Sequence, residues 1–204
     1  ARGFALIEYL PGEVYGRMVQ AGADMREPMR AATEVLADMA RHDWPEAPHA
    51  AANVVHHVPA YDREALLIEV DLLPAWYWTH RTGNDIPAEA AAEFAGLWTE
   101  ALAGLETERR IWTIRDFHSP NLLWLPERQG LQRVGIIDSQ DCVMGHPAYD
   151  VASLLQDARV DMPLALALPL LDHYCRLRQA AGDFDEAGFR RAFAILVAQR
   201  STKI

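Results

Sequence analysis

Arg115, Asp116, His118 and Asn121 crowd the stretch 114–125, IRDFHSPNLLWL. Further on comes IIDSQD, which supplies Asp138 and Asp141. A carboxylate with an amide oxygen nearby suits a hard Mg2+ ion, which usually takes only one or two protein acids together with phosphate and water. An acid left off the metal can accept a proton from an attacking hydroxyl. Together these are the parts of phosphoryl transfer, in which positioning and charge neutralisation supply most of the catalysis. The same residues could serve only as caps and turns, the commoner use of Asp and Asn in loops. Order and spacing favour the first reading. Aspartate, five residues to asparagine, an apolar strand, a turn, a second apolar strand and then aspartate is the layout of a kinase catalytic loop and metal-binding loop.

The elements that must position these residues follow from periodicity and punctuation. Residues 3–10 read as a strand closed by Pro11-Gly12. Met29, Ala32, Leu36, Met39 and Ala40 recur at helical spacing and predict a helix over 27–43, ending before Trp44-Pro45. Residues 45–60, rich in Pro, Ala and His, read as a loop. Asp62 is a candidate N-cap for a helix to about Leu73, and Pro74 can open a further helical turn carrying Trp76, Tyr77 and Trp78. A helix is expected over 87–105, with Pro87 in its first turn and Gly104 near its end. Short β-rich runs then occupy 111–114, 121–125 and 133–137, and three helices follow Pro147, near 148–158, 163–181 and 185–204. The sum is an α+β chain, a mostly helical body with a small strand-and-loop insert.

Composition narrows the class of function. At 204 residues, half of them apolar, the chain can bury a real core. A formal net charge of −10 argues against nucleic acid or an anionic membrane as a general partner, since both demand concentrated Lys and Arg. Two cysteines, Cys142 and Cys175, suggest neither a disulfide scaffold nor a metal pair, and fit a reducing cytoplasm. No apolar run approaches the roughly 20 residues of a spanning helix. The chain opens at Ala1 on an apolar run and stops at Ile204 in a helical pattern, so both ends are expected to continue in a longer protein.

The two central motifs, IRDFHSPNLLWL and VGIIDSQDCVMGHPAYDVASLLQDAR, resemble the aminoglycoside phosphotransferase family of kinase-like folds. Within it the chain is most similar to bacterial amino-sugar kinases that act on the anomeric hydroxyl of N-acetylmuramate and N-acetylglucosamine in cell-wall recycling. The resemblance extends over essentially the whole chain. It implies a protein-kinase-like large (C-terminal) lobe over 13–204, preceded by an inter-lobe linker over 1–12, with the small N-terminal lobe absent. It implies ATP and Mg2+ as cofactors and a small-molecule sugar as partner. Position by position, it makes Asp116 the catalytic base and Asn121 and Asp138 the metal ligands. Asp150 becomes the buried acid that braces the catalytic loop, and the stretch from Glu8 to Leu10 the backbone that grips adenine.

Three departures stand out. Ile114 occupies a position where the family often has His, Ser139 replaces the phenylalanine that follows the metal aspartate in protein kinases, and no segment supplies a phosphate-binding lysine ahead of the linker.

Other residues keep two readings. His118 could touch substrate or phosphate, or only hydrogen-bond backbone. Asp141 could orient substrate or support the metal loop. Trp76, Tyr77 and Trp78, adjacent on a helix, cannot all face one core, so at least one should be exposed or line a cleft, where aromatic faces suit sugar rings. Arg115 is expected to pair with an acid, Glu69 and Asp71 to form a solvated helix face, and His56-His57 to be plain loop. An aminoglycoside, a choline-like alcohol or homoserine would fit the same catalytic loop as acceptor. A non-catalytic kinase-like module is the rival from another class, and the joint presence of Asp116, Asn121 and Asp138 argues against it.

Overall fold

A computed structural model describes residues 6–105 and 109–203. In chain order these form β1 (Glu13–Val14), α1 (Tyr15–Gln20), α2 (Arg26–Met39), β2 (His49–Ala51), β3 (Val54–Val55) and α3 (Arg63–Val70). A π-helical turn, Leu73–Trp78, leads into α4 (Thr79–Thr82) and α5 (Ala88–Ala103). The central insert holds β4 (Ile111–Thr113), β5 (Leu122–Trp124), β6 (Val134–Ile136) and β7 (Val143–Gly145). Then come α6 (Ala148–Leu155), α7 (Leu164–Ala181) and α8 (Glu186–Ser201).

Local chemistry explains most boundaries. Helix α2 stops at Met39, short of the expected Asp43, because the Trp44 indole N–H donates to the Met39 carbonyl at 2.7 Å and closes the helix end. Asp62 caps α3 as expected, its carboxylate accepting from the Ala65 N–H at 3.1 Å. The following helical turn is wider than an α-helix. Pro74 brings no N–H to the carbonyl one turn back, and the chain relieves the conflict with a π turn before resuming. Gly83 then ends α4 in the left-handed conformation, φ 72°.

The strands form three small antiparallel sheets. One has the order β1-β5-β6, with Leu122 opposite Ile136 and Trp124 opposite Val134. A second pairs β4 with β7, Thr113 opposite Val143 and Ile111 opposite Gly145. A Cβ on Gly145 would lie 2.7 Å from Thr113 Oγ1, so only glycine lets these strands meet. The third is the hairpin β2-β3, inside the stretch 45–60 that was expected to be loop. Its four described strand ends are exposed and its pairing, unlike the others, leaves no apolar alternation to read.

One expected strand is corrected. Residues 6–12 take no regular structure, and Leu6, Ile7 and Tyr9 are exposed. An apolar run becomes a strand only where a neighbour accepts its backbone hydrogen bonds, and none of the described residues does so here. The remainder of that expectation, residues 3–5, lies outside the described residues, as does Ile204 at the end of the last expected helix.

Helices α2, α6, α7 and α8 enclose the core around Tyr15, Met29, Phe117, Tyr149, Leu154, Phe189 and Leu196. Phe117 belongs to the candidate catalytic loop, yet it is fully buried. Burying one such ring stabilises by about 1.5–3 kcal/mol, so the loop is rooted in the core by its own side chain.

Candidate active site

Strand β4 delivers the chain into the loop, and the first anchor is Asp150 on α6. Its carboxylate accepts the Ile114 N–H at 2.6 Å and the Arg115 N–H at 3.0 Å. Burial pushes the Asp150 carboxyl up, to about 7, against the downward pull of the Ile114 N–H, Arg200 and the Arg115 N–H. Arg115 adopts a left-handed backbone, φ 69°, which costs a non-glycine residue about 1–2 kcal/mol. Its carbonyl and guanidinium end are tied down, although its Nε is buried without a hydrogen-bond partner among the described residues. Its carbonyl accepts from Ser153 Oγ at 3.4 Å and Arg200 Nη1 at 3.3 Å, and its guanidinium pairs with Glu69 at 3.0 Å above the Tyr61 ring. The expected pairing of Arg115 with an acid is thus present.

Asp116 follows, its side chain 43% exposed. The ring of His118 lies against it, Nε2 3.4 Å from Asp116 Oδ1, while Nδ1 is buried without a partner. Burial foremost, then Arg159, holds the His118 pKa below the usual histidine value, so the ring is neutral at neutral pH. A 3-10 turn, Ser119–Asn121, brings the chain back. Asn121 Nδ2 donates to the Asp116 carbonyl at 3.1 Å and to Asp138 Oδ2 at 3.4 Å. Asp138, two residues past β6, has a left-handed conformation, φ 62°, and its other oxygen accepts from Gln140 Nε2 at 2.6 Å. The structure therefore gathers Asp116, His118, Asn121 and Asp138 into one group. Asp141 sits exposed at the tip of the next turn, outside that hydrogen-bonded group.

The segment assigned to adenine lies against β6, the strand that leads toward Asp138. Leu10 packs against β6, where a Cβ on Gly135 would come within 2.9 Å of Leu10 Cδ1, and Glu8 pairs with Arg128 at 2.5 Å. The aromatic run is exposed: Trp76 and Tyr77 line an open groove with Leu72, His80, Thr202 and Lys203, and Trp78 does not line it.

Two residues escaped the sequence reading. Glu69, expected on a solvated face, is instead largely buried, its side chain 13% exposed. It accepts from Arg115, Tyr61, Gln199 and Lys203, the last at 2.8 Å. Burial works to raise its pKa, but the hydrogen bonds from Lys203, Tyr61 and Gln199 outweigh that and hold the carboxyl below its ordinary range. Its place three residues after buried Leu66 was the available signal. Asp71 is exposed as expected. The second residue is Asp157, buried and bonded to Ser119. It lies two residues past the end of α6, where no helical periodicity signals its direction, and only the fold turns it back toward Ser119.

The donor set suits a hard cation. Among the described residues no three His, Cys, Asp or Glu side chains converge as a ready-made metal cage. A carboxylate and an amide converge instead, Asp138 and Asn121, the sparse protein contribution that Mg2+ accepts when phosphate and water complete the shell.

Comparison with known proteins defines first the fold. A crystal structure of the aminoglycoside phosphotransferase APH(2'')-Ib with ADP bound superposes with a TM-score of 0.53 and 15% identity, covering 96% of this chain and 72% of that one. The fold is kinase-like, mixed helix and sheet. The sequence then gives the family: the profile of the phosphotransferase enzyme family matches residues 1–189, and the chain belongs to that family. An N-acetylmuramate/N-acetylglucosamine kinase of Caulobacter vibrioides is 32% identical over all of this chain and 55% of its own length. Proteins of the same name from Neisseria meningitidis and Pseudomonas aeruginosa are 30% and 29% identical over 72% of this chain and 43% of theirs. The chain thus spans about half the length of the curated relatives it matches. No helix among the described residues is long and apolar enough to cross a membrane.

Proposed function

We propose that the complete protein containing this chain is an ATP-dependent kinase that phosphorylates the anomeric hydroxyl of N-acetylated amino sugars in the cytoplasm, within cell-wall recycling. The observation that carries the proposal is the hydrogen-bonded group of Asp116, Asn121 and Asp138, in the order a phosphotransferase needs. The name of the Caulobacter relative, which matches the whole chain at 32% identity, supports the choice of acceptor.

In this reading residues 13–204 are the large lobe and 1–12 the linker to a small lobe, with the backbone from Glu8 to Leu10 holding adenine. Asp116 accepts the proton of the sugar hydroxyl as that oxygen attacks the γ-phosphorus of ATP. The bond from phosphorus to the bridging oxygen breaks, and ADP leaves with that electron pair. An anomeric hydroxyl is more acidic than other sugar alcohols, so a carboxylate is a fitting base. His118, neutral and aimed at Asp116 Oδ1, steadies the carboxylate from its buried side. Asn121 and Asp138 would hold Mg2+, which when bound neutralises phosphate charge. Asp141 and the faces of Trp76 and Trp78 are assigned to the acceptor sugar, with Asp150 as structural support.

The test supplies the complete enzyme with N-acetylmuramate, N-acetylglucosamine, glucose and kanamycin separately, and reads product position by NMR. Anomeric phosphate on the two N-acetylated sugars, with glucose poorer because a site built to bond the N-acetyl group penalises its loss, is the expected result. Preference for kanamycin, or phosphate on another hydroxyl, overturns the acceptor and leaves the kinase standing.

A further inference from the structure

We propose that Asp157 is a positioning residue of the phosphotransfer loop: it fixes residues 118–121, and with them the metal-side amide of Asn121, as Asp150 fixes the residues before Asp116. This inference rests on the kinase reading above for its kinetic consequences, although its geometry stands apart from it.

Asp157 is 4% exposed. A buried carboxylate is costly unless hydrogen bonds replace its water. Both of its oxygens are committed. Oδ1 accepts the Arg159 N–H at 2.9 Å, a local turn closing the end of α6. Oδ2 reaches back 38 residues to Ser119, accepting its N–H at 2.9 Å and its hydroxyl at 2.5 Å. A residue needed only to end the helix has no use for the second pair.

Ser119 is a sensitive place to grip. It opens the 3-10 turn and is followed by Pro120, whose ring fixes φ, so the direction in which Asn121 departs is set largely by the backbone at Ser119. On one side of Ser119, His118 places Nε2 3.4 Å from Asp116. On the other, the Asn121 amide spans the Asp116 carbonyl at 3.1 Å and Asp138 at 3.4 Å. A rotation about Ser119 would move both. Two acids, Asp150 on α6 and Asp157 just past its end, therefore clamp the loop at either end, with Asp116 between the clamps. Asp157 holds the end that carries the metal-side residue.

The test compares Asp157→Asn and Ser119→Ala with wild type in the complete protein. Mn2+ serves as the probe for Mg2+, its binding in the presence of ADP read by electron paramagnetic resonance. Asp157→Asn should weaken Mn2+ binding and lower kcat by about 10- to 150-fold, the loss expected for one charge-assisted hydrogen bond, with acceptor KM within about threefold. Ser119→Ala, which keeps the N–H bond and removes no buried charge, should show the same pattern at smaller size. Hydrogen exchange of the peptide 117–122 should quicken in both. In an Asn121→Ala background Asp157→Asn should add less than about threefold to the metal defect, because residues acting through one group are not additive.

Unchanged Mn2+ affinity with a lowered melting temperature, or a full additive loss on top of Asn121→Ala, would overturn the proposal and make Asp157 a plain structural acid. The metal and exchange measurements need no turnover. A protein that phosphorylates no sugar but shows them as expected would refute the kinase reading while keeping the positioning role.

Discussion

The loop 114–121 and the turn 137–141 face each other across the site, and they are held in opposite ways. The first is rooted: Phe117 is in the core, Asp150 and Asp157 grip its backbone, and Ser153 and Arg200 hold the Arg115 carbonyl. The second is exposed from Ile137 to Asp141, and among the described residues the side chain of Asp138 hydrogen-bonds Gln140 and Asn121. The contrast matches the two tasks proposed for them. A general base must be positioned to within a fraction of an ångström at hydrogen-bond distance from its proton donor, and a rigid frame built at folding supplies that. A metal ligand must trade side-chain partners for a cation, which an exposed and lightly held carboxylate does at little cost.

The largest effect should come from the rooted side. Asp116→Asn in the complete protein is expected to cut kcat by about 10²–10⁴-fold, the range for general-base removal. Folding should stay within about 0.5 kcal/mol, because the side chain is partly exposed and its contact with His118 Nε2, at 3.4 Å, is long for a hydrogen bond. Steady-state kinetics beside a urea titration checks both halves. Turnover within threefold of wild type would remove Asp116 from the base role.

Next is Asp150→Ala, which orphans two buried N–H groups. At about 1–3 kcal/mol for each unsatisfied group, the loss of stability should reach roughly 2–6 kcal/mol, visible as a lowered urea midpoint. A loss under 1 kcal/mol would mean the loop is rooted by Phe117 alone.

The same acid should leave a pH signature. Its folded pKa stands near 7, above the value of about 3.9 for an unfolded aspartate, so between these the native state binds more protons than the unfolded one. Stability must then fall as pH rises through that window, by up to about 1.4 kcal/mol per pH unit, with no further change above it. Unfolding free energies at pH 5, 6, 7 and 8, taken against Asp150→Asn, which cannot titrate, should show the difference shrinking toward pH 7. A flat difference would mean that the N–H donors keep the carboxylate charged throughout.

The smallest effect on stability belongs to the exposed turn. Asp138→Ala should change unfolding free energy by about 0.5 kcal/mol or less and abolish Mg2+-dependent ATP binding, while Asn121→Ala, at the end of the rooted loop, should weaken that binding. Equal metal dependence in both variants and wild type, by titration calorimetry, would remove them as ligands. A large stability loss would instead show that the turn is as rooted as the loop.

The amino-acid sequence determined the local things. The helix caps and stops, the three β-rich runs of the insert, and the grouping of Asp116, Asn121 and Asp138 were legible because each rests on neighbours a few residues apart or on a fixed motif spacing. Only the tertiary structure decided whether a run found a partner. FALIEYL has the composition of a strand, but its described part lies unpaired, while the two-residue Glu13–Val14, with nothing in composition to mark it, became a strand because β5 was there to bond it. Tertiary structure also decided what an acid does. Glu69, Asp138 and Asp157 are chemically near-identical; one joins four donors in a buried cluster, one stands in water at the site, and one holds a serine 38 residues away. A carboxylate's role is set by its burial and its donors, and both come from parts of the chain that its own neighbourhood does not specify.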